Sequence, residues 1–474
     1  MVFSSHMFLF YFLPITLVFY YLLVSMKVKL SWVNLFVTVM SYIFYGWYEP
    51  WFVGLMLLTS SIDFAMGKII SRPGATKAQR NAALTFSCIA DLSLLGFFKY
   101  YMFFMGGMNK LVEIFGGGSN AFHILNITLP IGISFYTFQS LSYTIDVWRK
   151  DAPPVKDFPT YTCFVALFPQ LIAGPIVRYN TVAEQLSYRK HSLEMFANGT
   201  TLFMLGFVKK ILLANAGGEV ADLAFGADSL STGAAWWGAL GYHFQIYFDF
   251  CAYSDMAVGL GRMMGFEFIK NFDAPYRAVS MTDFWRRWHI SLSTWIRDNL
   301  YISLGGNRKG VGRTYFNLAI SMFLCGMWHG AKMTFIIWGV MTGGMLILER
   351  LMGRDSFYGR LPTIPKIIIT NVIVMFAWVV FRSPDIGQAA HFWGAMVGLG
   401  RPLPSVELLH AQLFSPRHLI EMTVCGFLVW QPLQAHVWVD KLKPYKFVVA
   451  AVLFIIAIVG MFSQSYNPFL YFQF

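Results

Sequence analysis

The chain has 474 residues, 57% of them hydrophobic, 18% aromatic and only 13% charged, so a soluble fold would need an oversized core beneath too little polar surface. The composition is that of an all-α polytopic membrane protein. The formal net charge of +12 sits in loops and in the 262–313 region. It suits anionic lipid headgroups or a polyanionic cytosolic ligand; basic residues scattered over juxtamembrane loops, with no soluble recognition module, argue against nucleic acid.

Predominantly apolar windows of roughly 17 to 25 residues, the length a bilayer demands, recur near 7–24, 31–47, 51–69, 82–105, 125–147, 158–177, 195–215, 234–262, 314–330, 333–350, 364–382, 418–436 and 446–463. About eleven are expected to span, with the others re-entrant or interfacial. Residues 1–25 hold no Lys or Arg, and Pro14 interrupts their apolar run, which reads as a retained first span and not a cleaved signal. Lys27 and Lys29, then Lys68, Arg72, Lys77 and Arg80, then Arg149, Lys150 and Lys156 fall in alternate loops. Excess basic charge marks cytosolic loops, which places the N-terminus outside. No repeat or long linker appears, so residues 1–474 are expected to form one integral domain whose chemistry-bearing part lies near 240–350. Cys88, Cys163, Cys251, Cys325 and Cys425 stand apart with no CxxC pair, and no HExxH-like spacing occurs. Neither disulfides nor a catalytic metal is expected.

Within that part, Asp249 and Asp255 lie in an apolar stretch. Buried there, they must be paired, protonated or hydrogen-bonded, and they either hold helices together or orient an imidazole. Further along, residues 282–301 mix three tryptophans with Asp283, Arg286, Arg287, Arg297 and Asp298, too charged to face lipid. Trp285, Trp288, Leu292, Trp295 and Asn299 recur at three- and four-residue spacing, which predicts an amphipathic helix along the cytosolic interface or lining a cavity. His289 borders its tryptophan stripe, either as a packing residue or as a neutral imidazole with a free lone pair. Residues 305–310, Gly-Gly-Asn-Arg-Lys-Gly, offer amides and charge to phosphates but lack the strand and the Ser/Thr of a P-loop. A tight loop between helices is the simpler reading.

His329 ends the apolar run that begins at Phe316, with Cys325 one turn before it and Gly326, Gly330 and Ala331 around it. Those small flanks predict room for a thin substrate to reach the ring; a helix-end histidine in the interface is the alternative. Cys325 and His329 share a face if the helix continues, the geometry of a thiol–imidazole pair, although free cysteine more often serves as a small apolar filler. Ionisable side chains are costly at membrane depth, and an imidazole exchanges its proton near neutral pH. His289 and His329 are therefore the leading catalytic residues.

Several strings together resemble the membrane-bound O-acyltransferase family, in its bacterial polysaccharide branch. They are residues 1–5, Leu-Pro-Ile-Gly-Ile-Ser-Phe-Tyr at 129–136, Phe-Pro-Gln-Leu-Ile-Ala-Gly-Pro at 168–175, Tyr-Phe-Asp-Phe at 247–250, Tyr-Ser-Asp-Met-Ala at 253–257, the tract 284–298 and Met-Trp-His-Gly-Ala at 327–331. Cys251-Ala252 replaces the branch's usual Ser-Gly, a small-for-small exchange. The resemblance implies that His329 is catalytic and that His289 is its partner in a central tunnel fed by cytosolic acetyl-CoA. With that donor, Arg286, Arg287, Arg308 and Lys309, with Trp288, Asp298 and Asn307 beside them, are expected to hold the CoA at the cytosolic mouth. The resemblance implies no permanently bound cofactor and a bacterial inner-membrane location with a periplasmic N-terminus. It further implies a relay in which periplasmic accessory proteins place the acetyl group on alginate or cellulose hydroxyls. The aromatic tail 467–474 is then a partner surface or an interfacial anchor. Two other readings stay open: transfer of D-alanine from a carrier protein to teichoic acid, as in a related branch, and a proton-coupled transporter or lipid-linked-sugar flippase with the histidines and Asp255 as relay.

Overall fold

The computed structural model describes residues 1–118, 121–353, 356–400, 406–464, 467 and 469–470. Among them the regular elements are helices, with no strand. Most of the aromatic tail lies outside the described residues. The chain forms two compact units, Met1–Phe203 with Met256–Ile269, and Met204–Asp255 with Lys270–Phe474.

In chain order the helices begin with α1 (Leu13–Ser25), α2 (Leu30–Tyr45), α3 (Trp51–Ser71), α4 (Lys77–Ile114), α5 (Ile133–Arg149), α6 (Phe158–Ala166), α7 (Phe168–Leu171) and α8 (Tyr179–Ser187), all in the first unit. Then come α9 (Leu193–Val208), a π turn Lys209–Ala214, α10 (Asn215–Phe225) and α11 (Thr232–Met263). The second unit continues with α12 (Met281–Arg287), α13 (Ile290–Ile296), α14 (Val311–His329), α15 (Met333–Met352), α16 (Phe357–Arg360) and α17 (Thr363–Arg382). It closes with α18 (Ile386–Met396), α19 (Val406–Leu413), α20 (Pro416–Val429), α21 (Ala435–Val439) and α22 (Pro444–Ser463).

Seven helical stretches among the described residues are long and apolar enough to cross a membrane: Phe8–Ser25, Trp51–Ser71, Lys77–Ile114, Leu193–Phe225, Met333–Met352, Thr363–Arg382 and Pro444–Ser463. The protein is all-helical and multi-pass. The 158–177 window instead serves the protein interior. It breaks into α6 and α7, each with proline in its first turn, where the missing N–H costs nothing. It is buried almost throughout. Helix α5 starts at Gly132, whose φ of +76° favours glycine; a Cβ there would stand 2.9 Å from the Leu171 carbonyl oxygen. Helix α4 opens on a capping box between Thr76 and Gln79.

In the second unit, Asp249 and Asp255 on α11 pair with consecutive lysines of the π turn. Lys210 Nζ lies 2.7 Å from Asp249 Oδ1, and Lys209 Nζ lies 2.6 Å from Asp255 Oδ2. The carboxylates thus tie α11 to the π turn. Helices α14 and α15 touch through Gly326 and Gly339: a Cβ on Gly339 would stand 2.5 Å from the Met322 carbonyl oxygen.

Candidate active site

Helix α12 is started by Ser280, whose hydroxyl accepts from Asp283 N at 3.1 Å, and it closes at Trp288. The next residue, His289, has φ 43° and ψ 55°, a left-handed conformation that costs a residue with a side chain about 1–3 kcal/mol. The amphipathic helix expected across 282–301 is therefore two helices, α12 and α13, followed by a π turn at Arg297–Tyr301. Asn271 supplies the reason. Its main-chain oxygen accepts from Ile290 N at 2.9 Å, and its side-chain oxygen accepts from Ser291 N at 3.2 Å and from Ser291 Oγ at 2.9 Å. The first amides of α13 are thus satisfied from outside, as a helix start requires.

The same Asn271 oxygen lies 3.1 Å from His289 Nδ1. Because a main-chain N–H donates to it, this atom is the amide oxygen and not the nitrogen. An oxygen only accepts, so His289 carries its proton on Nδ1 and its lone pair on Nε2. The buried ring meets Phe250 edge-on, 4.6 Å between centroids. Burial first, and the nearby His329 second, push its pKa well below the usual 6.5, so the ring is neutral at pH 7.

His329 is the last residue of α14. Its ring stands edge-on to Trp328, Trp338 and Phe381, at 5.0, 5.2 and 5.2 Å between centroids. His289 meets the same Trp328 indole at 6.1 Å. Both imidazoles therefore border one tryptophan within the second unit. The two glycines beside His329 face packed neighbours. The space beside Gly330 is filled by the Phe335 ring, and Gly326 lets α15 approach, so these glycines serve helix packing.

A cavity of about 1400 Å³ in the same unit is lined by α12, α13, α14 and α15 and by residues near α16 and α17. Its wall includes Ile290, next to His289, and Cys325, one turn before His329. Five cationic side chains line it, Arg286, Arg287, Arg297, Arg350 and Lys366, against two carboxylates, Asp283 and Glu349. The carboxylates are engaged: Asp283 Oδ1 pairs with Arg287 Nε at 2.9 Å, and Glu349 accepts from Thr282 N at 3.2 Å. The net charge facing the space is positive, which suits a polyanionic ligand.

Of the expected donor-side residues, Arg286, Arg287 and Asn307 line this cavity. Asn307 also accepts from Arg350 Nη1 at 3.3 Å and from the Tyr301 hydroxyl. Trp288 does not: it is 3% exposed and stacks among Tyr276, Phe284 and Trp378. Asp298 is held by Arg297, Nε to Oδ1 2.6 Å. Arg308 and Lys309 are exposed in a turn that Gly305, Gly306 and Gly310 shape with positive φ, outside the cavity wall. The tight-loop reading of 305–310 holds.

Residues 2–381 match the model of the membrane-bound O-acyltransferase family. The chain belongs to this family. It is a membrane-bound acyltransferase, and its relatives indicate the range of chemistry. It is 41% identical to the probable alginate O-acetylase AlgI of Pseudomonas putida over the full length of both chains. It is 33% identical to the peptidoglycan O-acetyltransferase of Helicobacter pylori over 86% of this chain and 81% of the relative. Identity to the teichoic acid D-alanyltransferase of Streptococcus thermophilus is 30%, over 53% of this chain and 68% of the relative.

Residues that sequence reading missed are Asn271, which sets the His289 tautomer, the ring partners Phe250, Trp338 and Phe381, and the cavity cations Arg297, Arg350 and Lys366 as ligand-facing groups. Arg297 stood in the charged tract and was legible there. Nothing local marks the others.

Proposed function

We propose that this acyltransferase moves an acetyl group from cytosolic acetyl-CoA across the inner membrane to a hydroxyl on the periplasmic side, in O-acetylation of an exported polysaccharide of the alginate or cellulose type. Periplasmic accessory proteins relay the group, and the N-terminus faces the periplasm. The observation that carries this reading is the meeting of two imidazoles on one indole beside a cationic cavity, in a chain whose full-length relative is named an alginate O-acetylase.

The cavity residues present fit acetyl-CoA. Arg286, Arg287, Arg297, Arg350 and Lys366 would hold its phosphates, and the acyl end would reach past Ile290 and Cys325 towards the histidines. His329 removes the proton from the acceptor hydroxyl as that oxygen attacks the thioester carbonyl. The C–O bond forms, the tetrahedral intermediate collapses, the C–S bond breaks, and the proton returns to the departing CoA sulfur. Base catalysis of this kind contributes about 10² to 10⁴ in rate. His289, with its lone pair at Nε2, accepts a hydrogen bond or a proton; its tautomer does not donate from Nε2, so oxyanion stabilisation falls to main-chain and indole N–H groups.

The test uses purified full-length protein with labelled acetyl-CoA and two acceptors, the polysaccharide and its exported accessory protein. His329→Ala is expected to lose transfer by about 10²-fold or more. Transfer within twofold of wild type would remove His329 from the chemistry. Inactivity of the wild type with acetyl-CoA, together with activity on a D-alanyl carrier protein, would replace the acetyl donor.

A further inference from the structure

The first unit contains a polar cluster that acyl transfer does not use. Asp63 on α3 and Asp91 on α4 are 0% and 1% exposed, on helices long and apolar enough to span the membrane. Their carboxyl groups adjoin one another. Ser87, one turn before Asp91, donates to Asp63 Oδ1 at 2.6 Å and to Thr144 of α5 at 3.2 Å. Ser140 of α5 adjoins both Asp63 and Tyr161 of α6. The other titratable groups acting on or felt by the pair are Cys88 on α4, Tyr136 and Tyr143 on α5, and Tyr161. No Lys, Arg or His is among the groups acting on either carboxyl.

Two carboxylates this close and this dry repel each other and have lost their hydration, so at least one of them must be neutralised, by a proton or by a bound cation. In helices that cross a membrane the requirement is stricter, because an ionised side chain is costly at bilayer depth. The cluster also has an unused oxygen. Ser60 Oγ, one turn before Asp63, is buried with no hydrogen-bond partner, while the Asp63, Asp91, Ser140 and Tyr161 oxygens face one another. Oxygen-only donors suit a proton or a hard cation. No third acidic, histidine or cysteine ligand completes a multivalent metal site among the described residues.

We propose that Asp63 and Asp91 form a buried binding site for one monovalent cation, either a proton shared between the carboxyls or a sodium ion held by them and by the neighbouring hydroxyls. The bound charge lets α3, α4 and α5 pack around two acids that would otherwise drive them apart.

The experiment takes the purified full-length protein in choline buffer free of sodium and records two quantities, the carbonyl stretch of protonated carboxylic acid in the infrared and binding of radioactive sodium. Wild type is expected to show a deuterium-sensitive carboxylic-acid band at neutral pH that Asp63→Asn/Asp91→Asn removes. If added sodium leaves the band and no sodium binds, the cation is a proton. If sodium binds at about one per chain and the variant loses it, the cation is sodium. Asp91→Asn alone keeps one acid and mimics the shape of a neutral partner, and it replaces the double variant if that does not fold. Wild-type protein with neither the band nor bound sodium overturns the proposal, as does a band that both variants retain.

Discussion

The Asn271 side-chain oxygen, 3.1 Å from His289 Nδ1, decides which nitrogen of that ring holds the proton. Asn271→Ala removes the acceptor and lets the ring turn or change tautomer. A misplacement of this order costs roughly 10²-fold in rate, and the loss should fall on kcat with KM for acetyl-CoA little changed. Steady-state kinetics separates the two. An equal rise in KM would show that Asn271 serves binding instead.

Asn271→Asp makes a different prediction, in pH. The wild-type His289 pKa lies well below 6.5 through burial and the neighbouring His329. In the proposed mechanism His289 works as the neutral ring, so its protonation should remove activity as pH falls through that depressed value. A carboxylate facing Nδ1–H stabilises the charged ring and raises its pKa, so the acid limb of kcat/KM should move to higher pH. A profile superimposable on wild type would separate His289 ionisation from turnover.

The same depressed pKa has a consequence for stability. Below about 6.5 the unfolded chain binds a proton at His289 that the folded ring refuses. Stability is therefore full above the unfolded value and falls as pH drops towards the folded one. Thermal midpoints in detergent should decline between about pH 7 and pH 5 in wild type, and less steeply in His289→Gln. Parallel slopes would assign the decline to other groups.

Arg286 and Arg308 provide a matched pair of probes. Arg286 lines the cavity, while Arg308 stands outside its wall in the turn after α13. Arg286→Ala should raise KM for acetyl-CoA about tenfold, or 1.4 kcal/mol, and flatten its dependence on ionic strength. Arg308→Ala should change neither. Equal effects would move the donor mouth towards the glycine-rich turn.

The residues that were legible in sequence are those whose chemistry is odd where they stand. His289 and His329 interrupt apolar surroundings, and Arg286 and Arg287 crowd a tract too charged for lipid. Periodicity also located the tryptophan stripe, but it could not show the break at His289. That break depends on hydrogen bonds from Asn271, 18 residues earlier, and no local pattern encodes them. Arg350 and Lys366 reach the cavity from α15 and α17 only because the helices fold together. The glycines around His329 were misread for a related reason: small residues beside a functional ring look alike whether they admit a ligand or another helix. Apolar windows such as 158–177 look like spans because a protein interior selects the same side chains as lipid does.

The Asp249 carboxylate gives the last prediction. It holds Lys210 on Oδ1 at 2.7 Å, both side chains 3% exposed or less, and its Oδ2 accepts from Leu470 N at 2.8 Å. Lys210→Met leaves a buried anion without its counter-charge, which costs about 3–5 kcal/mol. Adding Asp249→Asn removes the stranded charge and keeps an oxygen for Leu470, so Lys210→Met/Asp249→Asn should recover most of that loss. Asp249→Leu in place of Asn abandons the Leu470 amide as well and should recover less, by about 1–3 kcal/mol. Thermal unfolding of the single and double variants measures all three. A Lys210→Met protein as stable as wild type would mean that water or another cation reaches Asp249 when the lysine is gone.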